Sequence, residues 1–448
     1  MNNITLRYEK FEFDHALSPQ EVLYVNYSKL GNLEGIDHHR FRFSQVVDSM
    51  LYYYQHVKNT EEAINIESID STSGNNYIIP IAVAYNPNDW TDTPNGVHNP
   101  SQLSVFEYLN PTYIKDMQDK RALLMLDQSV EGYHSPWLWQ WFHNKCRQYN
   151  VQPASIIYLT GDQSSADSYE QWCIENNPSS RLKVIPSTSL GMYVHKQFRR
   201  DFADIKFDLL LEHKKSNYND IYLYDCINMR PRPQRVLNLL HLFNAGLLEQ
   251  GKITMGKNEG WHTMPSPQYL ATYNLPTNVM LKVNETGAFD KIPEPTSVSN
   301  KDNHYYNFVE RILYDMYKNS WVSIIAETSY FEHEHATFIS EKTFKPLASM
   351  QPFVIIGTRG TLKYLRKLGY RTFHPYIDES YDDLPDSDRF VAIVESIKKI
   401  QAIENKVEWY ESIRDIVEHN YNLFASTDTR KSQEHEAIIK YYFNYFKE

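Results

Sequence analysis

Short apolar runs alternate with stretches of helical periodicity through most of this 448-residue chain, and that alternation constrains its fold more than any other feature. Residues 121–126 (RALLML), 155–160 (SIIYLT) and 182–185 (LKVI) are strand-sized and almost wholly apolar. Helical stretches at 136–149 and 166–176 lie between them. Continuous apolar strands are those buried on both faces, and strands separated by helices of 10–15 residues imply βαβ units and a parallel sheet. An earlier strand is expected at 77–85 (YIIPIAVAY), after a helical stretch near 41–57 and before a loop rich in Pro, Asn and Asp at 86–101.

A second series begins at 221–227 (IYLYDCI), followed by a helix reaching about 249. Residues 251–305 read as loop. Helix 306–318, strand 322–326, helix 341–350, strand 353–356 and helix 360–368 come next, then a long helical tail over 387–424 and a last helix at 433–446. The expected fold is α/β, with two Rossmann-like domains facing across a cleft. Residues 1–210 make the first, residues 211–430 the second, and 431–448 a C-terminal helix whose apolar IIKYYFNYF packs back on the first. A chain of this length exceeds what one core organises, which agrees with two domains.

Composition narrows the class. With 42% hydrophobic and 23% charged residues, the chain is ordinary for a globular protein. No apolar run approaches the ~20 residues of a membrane span, and the N-terminus has no apolar signal core. Three cysteines, Cys146, Cys173 and Cys226, stand without paired spacing, which fits a reducing cytoplasm better than a disulfide framework or a zinc site. A net charge of −11 argues against a surface coated for nucleic acid. The 34 tyrosines, with abundant Asn, Lys and Ile, suit an AT-rich phage or bacterial genome. There is no G-x-G-x-x-G and no P-loop.

The densest chemistry lies in 321–357. Ile324, Ile325 and Ala326 end in Glu327, Thr328 and Ser329, so polar groups sit at the carboxyl end of a strand, the edge where open α/β sheets bind ligands. Ser340 is placed to cap the next helix, with Glu341 and Lys342 in its first turn. A lysine there is unfavourable by a few tenths of a kcal/mol unless an anion is present. Pro346 is expected to kink that helix or delay its start to Lys345, and Phe344, Leu347 and Ala348 form its core face. The segment resembles the donor-binding motif of the α1,3-fucosyltransferase family, F-E-N-S, a gap, Y-I-T-E-K-L-W, then P-V-V-x-G. Here it reads Ala326-Glu327-Thr328-Ser329, Phe338-Ile339-Ser340-Glu341-Lys342-Thr343-Phe344 and Pro352-Phe353-Val354-Ile355-Ile356-Gly357. Ala326 and Thr328 depart from the pattern, Pro346 interrupts the helix, and the family's N-terminal catalytic motif has no located counterpart. The resemblance implies the two-domain GT-B fold and a nucleotide-sugar site. Glu327 would meet the donor sugar or ribose, Glu341 the ribose hydroxyls, and Lys342 the diphosphate.

Two further constellations complete the expected site. Arg230, Arg232 and Arg235 follow strand 221–227 with Pro231 and Pro233, forming a loop suited to clamp a diphosphate without a metal. The catalytic base is expected from the first domain, at Asp127 on the tip of the 121–126 strand or at Glu131 in the loop beyond it, with His134 a weaker third. Lys257 is a further cation within reach of a cleft. Other signals have plainer readings. Glu332-His333-Glu334-His335 lacks a second ligand group, Asp386-Ser387-Asp388 precedes a helix and suits capping, and His38-His39 with Trp137, Trp139 and Trp141 suit packing or an acceptor surface.

The expected function is a cytoplasmic, cofactor-free glycosyltransferase. It would move sugar from a GDP- or UDP-linked donor to a glycan or lipopolysaccharide hydroxyl. A phage enzyme acting on hydroxymethylated pyrimidines in DNA, a non-catalytic nucleotide-sugar-binding protein and a structural phage protein are the alternatives. The −11 charge weighs against DNA, whose phosphates call for a basic groove.

Overall fold

A computed structural model describes residues 4–8, 43–44, 64–68, 74–83, 105–129, 132, 137–256, 266–294, 311–331, 335–426 and 428–447. It divides into two compact units, Met1–Ser189 with Asp428–Glu448, and Leu190–Thr427. Each is built on its own sheet.

The first unit carries strands β1 (Ile4–Tyr8), β2 (Phe43–Ser44), β3 (Ile64–Ser68), β4 (Tyr77–Val83), β5 (Ala122–Gln128), β6 (Ile156–Thr160) and β7 (Lys183–Pro186). Their order is β3-β1-β4-β5-β6-β7, all parallel, with β2 antiparallel on β4. Residues 43–44 are therefore strand where a helix over 41–57 was expected; the rest of that stretch, like the whole 86–101 loop, lies outside the described residues.

The period-two alternation of buried strands gives each face its own core. Leu124, Leu126, Ile156 and Tyr158 pack on one side with helices α1 (Val105–Tyr108), α2 (Pro111–Gln118), α3 (Leu138–Gln148) and α4 (Ser165–Asn176), through Phe106, Tyr113, Trp139 and Tyr169. Trp139 and Trp141 are buried in this core, and half-buried Trp137 packs against it, as the packing reading expects. Leu123, Met125, Ile157 and Leu159 face the other side. They are covered there by Ile438, Ile439 and Tyr442 of the last helix, α16 (Asp428–Tyr445). Its Glu434 accepts hydrogen bonds from Ser187 Oγ at 2.9 Å and Thr188 N at 3.0 Å, pinning the helix to the end of β7.

The second unit holds β8 (Tyr222–Asn228), β9 (Gly251–Met255), β10 (Ser320–Ala326) and β11 (Phe353–Ile356), parallel and ordered β11-β10-β8-β9. Around them run α5 (Ser189–Asp201), α6 (Phe207–Ser216), α7 (Pro233–Asn244), α8 (Pro267–Thr272), α9 (Val279–Thr286), α10 (Tyr314–Lys318), α11 (Glu341–Leu347), α12 (Thr361–Lys367), α13 (Asp386–Gln401), α14 (Lys406–Ser412) and α15 (Arg414–Ala425). The division falls before Leu190 rather than near 210, because Val194 and Phe198, one turn apart on α5, are buried in the second core. The expected helical tail over 387–424 is three helices. The stretch 251–305, expected as loop, contains β9, α8 and α9.

Strand order locates the ligand edge. From β8 the chain goes to β9 on one side and to β10 and β11 on the other, so the order reverses between β8 and β10. Connections leaving the carboxyl ends of those two strands diverge and leave a crevice, where open α/β sheets take their ligands. Among the described residues no helix is long and apolar enough to cross a membrane.

Candidate active site at the reversal of the second sheet

Asn228 and Ala326 end the two strands beside the crevice, and three segments converge there: Asn228–Arg232, Glu327–Ser329 and Ser340–Lys342. The β9 end closes tightly on the first. Gly256 N donates to Asn228 O at 3.1 Å, and a Cβ at Gly256 would stand 2.0 Å from the Met229 carbonyl oxygen, so only glycine fits.

Helix α7 starts at Pro233, whose fixed φ and missing N–H suit a first helical position. Arg232 is its half-buried cap residue and Arg230 is exposed. Arg235, expected in the diphosphate clamp with Arg230 and Arg232, turns inward and is only 3% exposed. Its Nη1 donates to Arg230 O at 3.0 Å and Nη2 to Ala326 O at 3.5 Å, while its buried Nε has no hydrogen-bond partner among the described residues. Burial, then the neighbouring Arg232, lower its pKa to about 10, against the pull of Glu341 and Glu327. Gln234, which sequence reasoning passed over, donates from Nε2 to Glu327 O at 3.0 Å and Thr328 O at 2.7 Å. The first turn of α7 thus holds the end of β10.

Glu327 departs from its expected role. Its side chain is fully buried. Oε1 accepts from Ser340 N at 3.1 Å and Thr343 Oγ1 at 2.6 Å; Oε2 accepts from Ser340 Oγ at 2.5 Å and Thr328 N at 3.3 Å. A carboxylate offers about four acceptor positions. All are used, so no sugar hydroxyl has one left to meet. Glu327 ties the end of β10 to the start of α11.

Ser340 caps α11, accepting from Lys342 N at 3.4 Å. The helix begins at Glu341 and continues through Pro346 to Leu347, so the proline does not delay its start to Lys345; Phe344, Leu347 and Ala348 are buried as the core face requires. Lys342 Nζ donates to Glu341 Oε1 at 2.9 Å, Ser340 Oγ at 2.9 Å and Thr328 Oγ1 at 3.4 Å. Burial raises the Glu341 pKa, but Lys342 and Lys345 overcome it and hold the carboxyl at about 2. Lys345, a residue the sequence reading used only as a possible helix start, is buried; desolvation lowers its pKa to about 8, opposed by Glu341 and assisted by Lys342 and Arg311. Its signal in sequence was the i, i+4 spacing from Glu341. Arg235, Lys342 and Lys345 thus gather around Glu341, Arg235 also feels Glu327, and Arg232 and Arg311 add their charges beside Arg235 and Lys345, so cations cluster here in a chain of net −11.

In the first unit, Asp127 is 5% exposed and its Oδ1 accepts from Ser129 N at 2.8 Å, closing its own turn rather than standing at an open strand tip. Glu131, His134, Lys257, His38-His39 and Glu332–Glu334 lie outside the described residues. Asp386 pairs with Arg389 at 2.5 Å and Asp388 accepts from Asn274 at 3.0 Å, so both hold the start of α13, though by ion pair and tertiary contact rather than by the expected capping bond. The three cysteines are buried and free, and no group of three or more His, Cys, Asp or Glu among the described residues is placed to hold a metal ion.

No protein-family model and no curated protein matches the sequence. Among solved structures, the α,α-trehalose 6-phosphate synthase of Burkholderia multivorans is similar at 8% identity and a TM-score of 0.35, over 71% of this chain and 67% of that one. The N-terminal domain of the trehalose-6-phosphate phosphatase of Candida albicans is similar at 10% identity and a TM-score of 0.35, over 71% and 66%. Likeness that loose fixes neither fold nor chemistry, which rest on the elements and residues above.

Proposed function

We propose that the chain is a metal-independent glycosyltransferase of the two-domain GT-B kind, moving sugar from a GDP- or UDP-linked donor to a hydroxyl of a glycan or lipopolysaccharide. The cluster of cationic side chains at the strand reversal of the second sheet carries this reading. Such a cluster suits a diphosphate, and fixed cations would stabilise the charge that grows on it as the sugar departs. Lys342 and Arg232 would meet phosphate oxygens, with Arg230 at the exposed side, while buried Arg235 would lend its charge from beneath. Glu341, ionised and beside Lys342, would accept from the ribose hydroxyls, and Ser340 caps the segment that presents both. The acceptor and the base belong to the first unit. Asp127, whose Oδ1 closes its own turn, and Glu131 are the two candidates for the base.

The engagement of Asp127 favours one second reading, a nucleotide-sugar-binding protein without turnover. Calorimetry with GDP, UDP, their monophosphates and pyrophosphate tests the site; transfer and hydrolysis assays over nucleotide sugars test the activity. Diphosphate binding lost in Lys342→Met supports the site, and turnover lost in Glu131→Gln supports the base. No affinity for any diphosphate would overturn the proposal. Binding without turnover would leave the second reading.

A further inference from the structure

We infer that Glu327 is a positioning residue that aims the Lys342 ammonium through Ser340, an inference that rests on the donor-site reading above. The argument starts from the single hydrogen on Ser340 Oγ. That hydrogen goes to Glu327 Oε2 at 2.5 Å, which leaves the oxygen's lone pairs as the hydroxyl's only remaining capacity. Lys342 Nζ approaches those lone pairs at 2.9 Å. The second acceptor steering the ammonium, Thr328 Oγ1 at 3.4 Å, belongs to a residue whose backbone N–H is also given to Glu327 Oε2 at 3.3 Å. One buried carboxylate therefore orders both hydroxyl oxygens that Lys342 uses.

The direction of the chain follows from charge. A carboxylate at residue 327 can only accept, so Ser340 donates to it and accepts from Lys342, and each bond polarises the next. An amide at residue 327 can donate, which frees Ser340 Oγ–H to turn and removes the reason for the ammonium to stay. Lysine is a point charge on a flexible stem, so its usefulness to a phosphate depends on such outside restraint. Glu341 restrains it as well, at 2.9 Å, but from the side at which a ribose would compete for the same carboxylate. The Ser340–Glu327 arm has no such competitor, because Glu327 is wholly buried and its acceptor positions are full.

The test combines Glu327→Gln, Ser340→Ala and Lys342→Met in a double-mutant cycle on the full chain. The readouts are calorimetric affinity for GDP, UDP and pyrophosphate, and NMR relaxation of labelled lysine side chains. Lys342→Met should weaken diphosphate binding by roughly tenfold or more. With Lys342 present, Glu327→Gln and Ser340→Ala should each weaken it by about threefold or more, and in the Lys342→Met background by less than about twofold. Both should also raise the mobility of the Lys342 side chain with no nucleotide present. Since Glu327→Gln loosens the joint between β10 and α11 and lowers the melting temperature, Ser340→Ala, which keeps the carboxylate, supplies the cycle if the first variant does not fold. Equal losses in the two backgrounds, or unchanged Lys342 mobility, would overturn the inference. Unchanged affinity in Lys342→Met would instead overturn the donor-site reading, while the mobility measurement would still decide the role of Glu327.

Discussion

Glu341→Gln separates electrostatics from recognition, because the two predict opposite changes. A phosphate oxygen seated on Lys342 Nζ at about 2.8 Å lies at most about 6 Å from Glu341 Oε1, itself 2.9 Å from the same nitrogen. At that separation and an effective dielectric of about 20, one phosphate charge and the carboxylate repel by about 3 kcal/mol. The Glu341 side chain is 14% exposed, so partial screening brings this to about 1–2 kcal/mol. Removing the charge should therefore tighten pyrophosphate, which has no ribose, by roughly five- to thirtyfold. A nucleoside diphosphate gains the same term but loses charge-assisted bonds to the ribose hydroxyls, each worth about 1.5–3 kcal/mol. Its affinity should stay level or fall. Calorimetric titration of GDP, UDP and pyrophosphate into both proteins gives the ratio directly. Equal tightening of all three ligands would show that Glu341 does not read the ribose, and weakened pyrophosphate would refute the placement of phosphate at Lys342.

Other outcomes follow from the same geometry. Lys342→Met should weaken nucleoside diphosphates by roughly 10- to 100-fold and flatten the dependence of affinity on salt, both read by calorimetry at several ionic strengths. Gly256→Ala must push a Cβ into the Met229 carbonyl at 2.0 Å, and denaturant unfolding should show a loss of at least about 2 kcal/mol. Glu341 has its pKa depressed from 4.5 to about 2, so its stabilisation is complete above about pH 4.5 and is lost as pH falls towards 2; Glu341→Gln should flatten that part of the acid-unfolding curve. Lys214 is fully buried over Tyr410 and Trp321, and burial lowers its pKa from 10.5 to about 7 despite Asp225. At this group the unfolded chain then binds more protons between about pH 7 and 10.5, so its contribution to stability rises with pH, whereas buried Cys146 and Cys226, raised from 9.0 to about 12, oppose it above about pH 9. Between about pH 7 and 9, Lys214→Met should remove most of the lysine slope and leave the smaller part from Lys345, measured by thermal unfolding across pH.

Much of the fold was legible because it depends on local periodicity. The run FVII stands as β11 at the residues expected, and α7 starts at Pro233 because proline sets the first-turn geometry wherever it falls. What escaped was set by tertiary context. GKITM is too short and too polar to announce a strand, yet as β9 it takes the outer place beside β8 and decides where the strand order reverses. Helix α5 carries Val194 and Phe198 one turn apart, a weak pattern that becomes decisive only once the second core exists to receive them. At the site, residue types were readable and orientations were not. Arg235 was read as one of three clamping arginines because nothing in NMRPRPQR says which arginine the helix will turn under β10. Lys345 went without a role because a buried lysine is exceptional, and only three-dimensional neighbours explain it.

Glu327 and Glu341 show how far exposure, rather than residue type, divides function. Both are carboxylates flanked by hydroxyl residues, and nothing in their immediate sequence separates one that serves the fold from one that serves a ligand. Glu327 sits at a strand end where two backbone amides and two hydroxyls already point, so its charge is consumed inside the protein. Glu341 stands one residue past the cap, its carboxylate 2.9 Å from Lys342 Nζ and electrostatically coupled to Lys345 and Arg235. Exchanging their chemistry should therefore be asymmetric. Glu327→Asp withdraws the carboxylate by one methylene from four fixed donors, and unfolding measurements should show a cost of about 1–3 kcal/mol with or without ligand. Glu341→Asp shortens a partly exposed side chain and should leave stability within about 1 kcal/mol while changing the GDP-to-pyrophosphate affinity ratio. If Glu327→Asp proved the milder for stability, the reading of its four hydrogen bonds as the joint between β10 and α11 would be wrong.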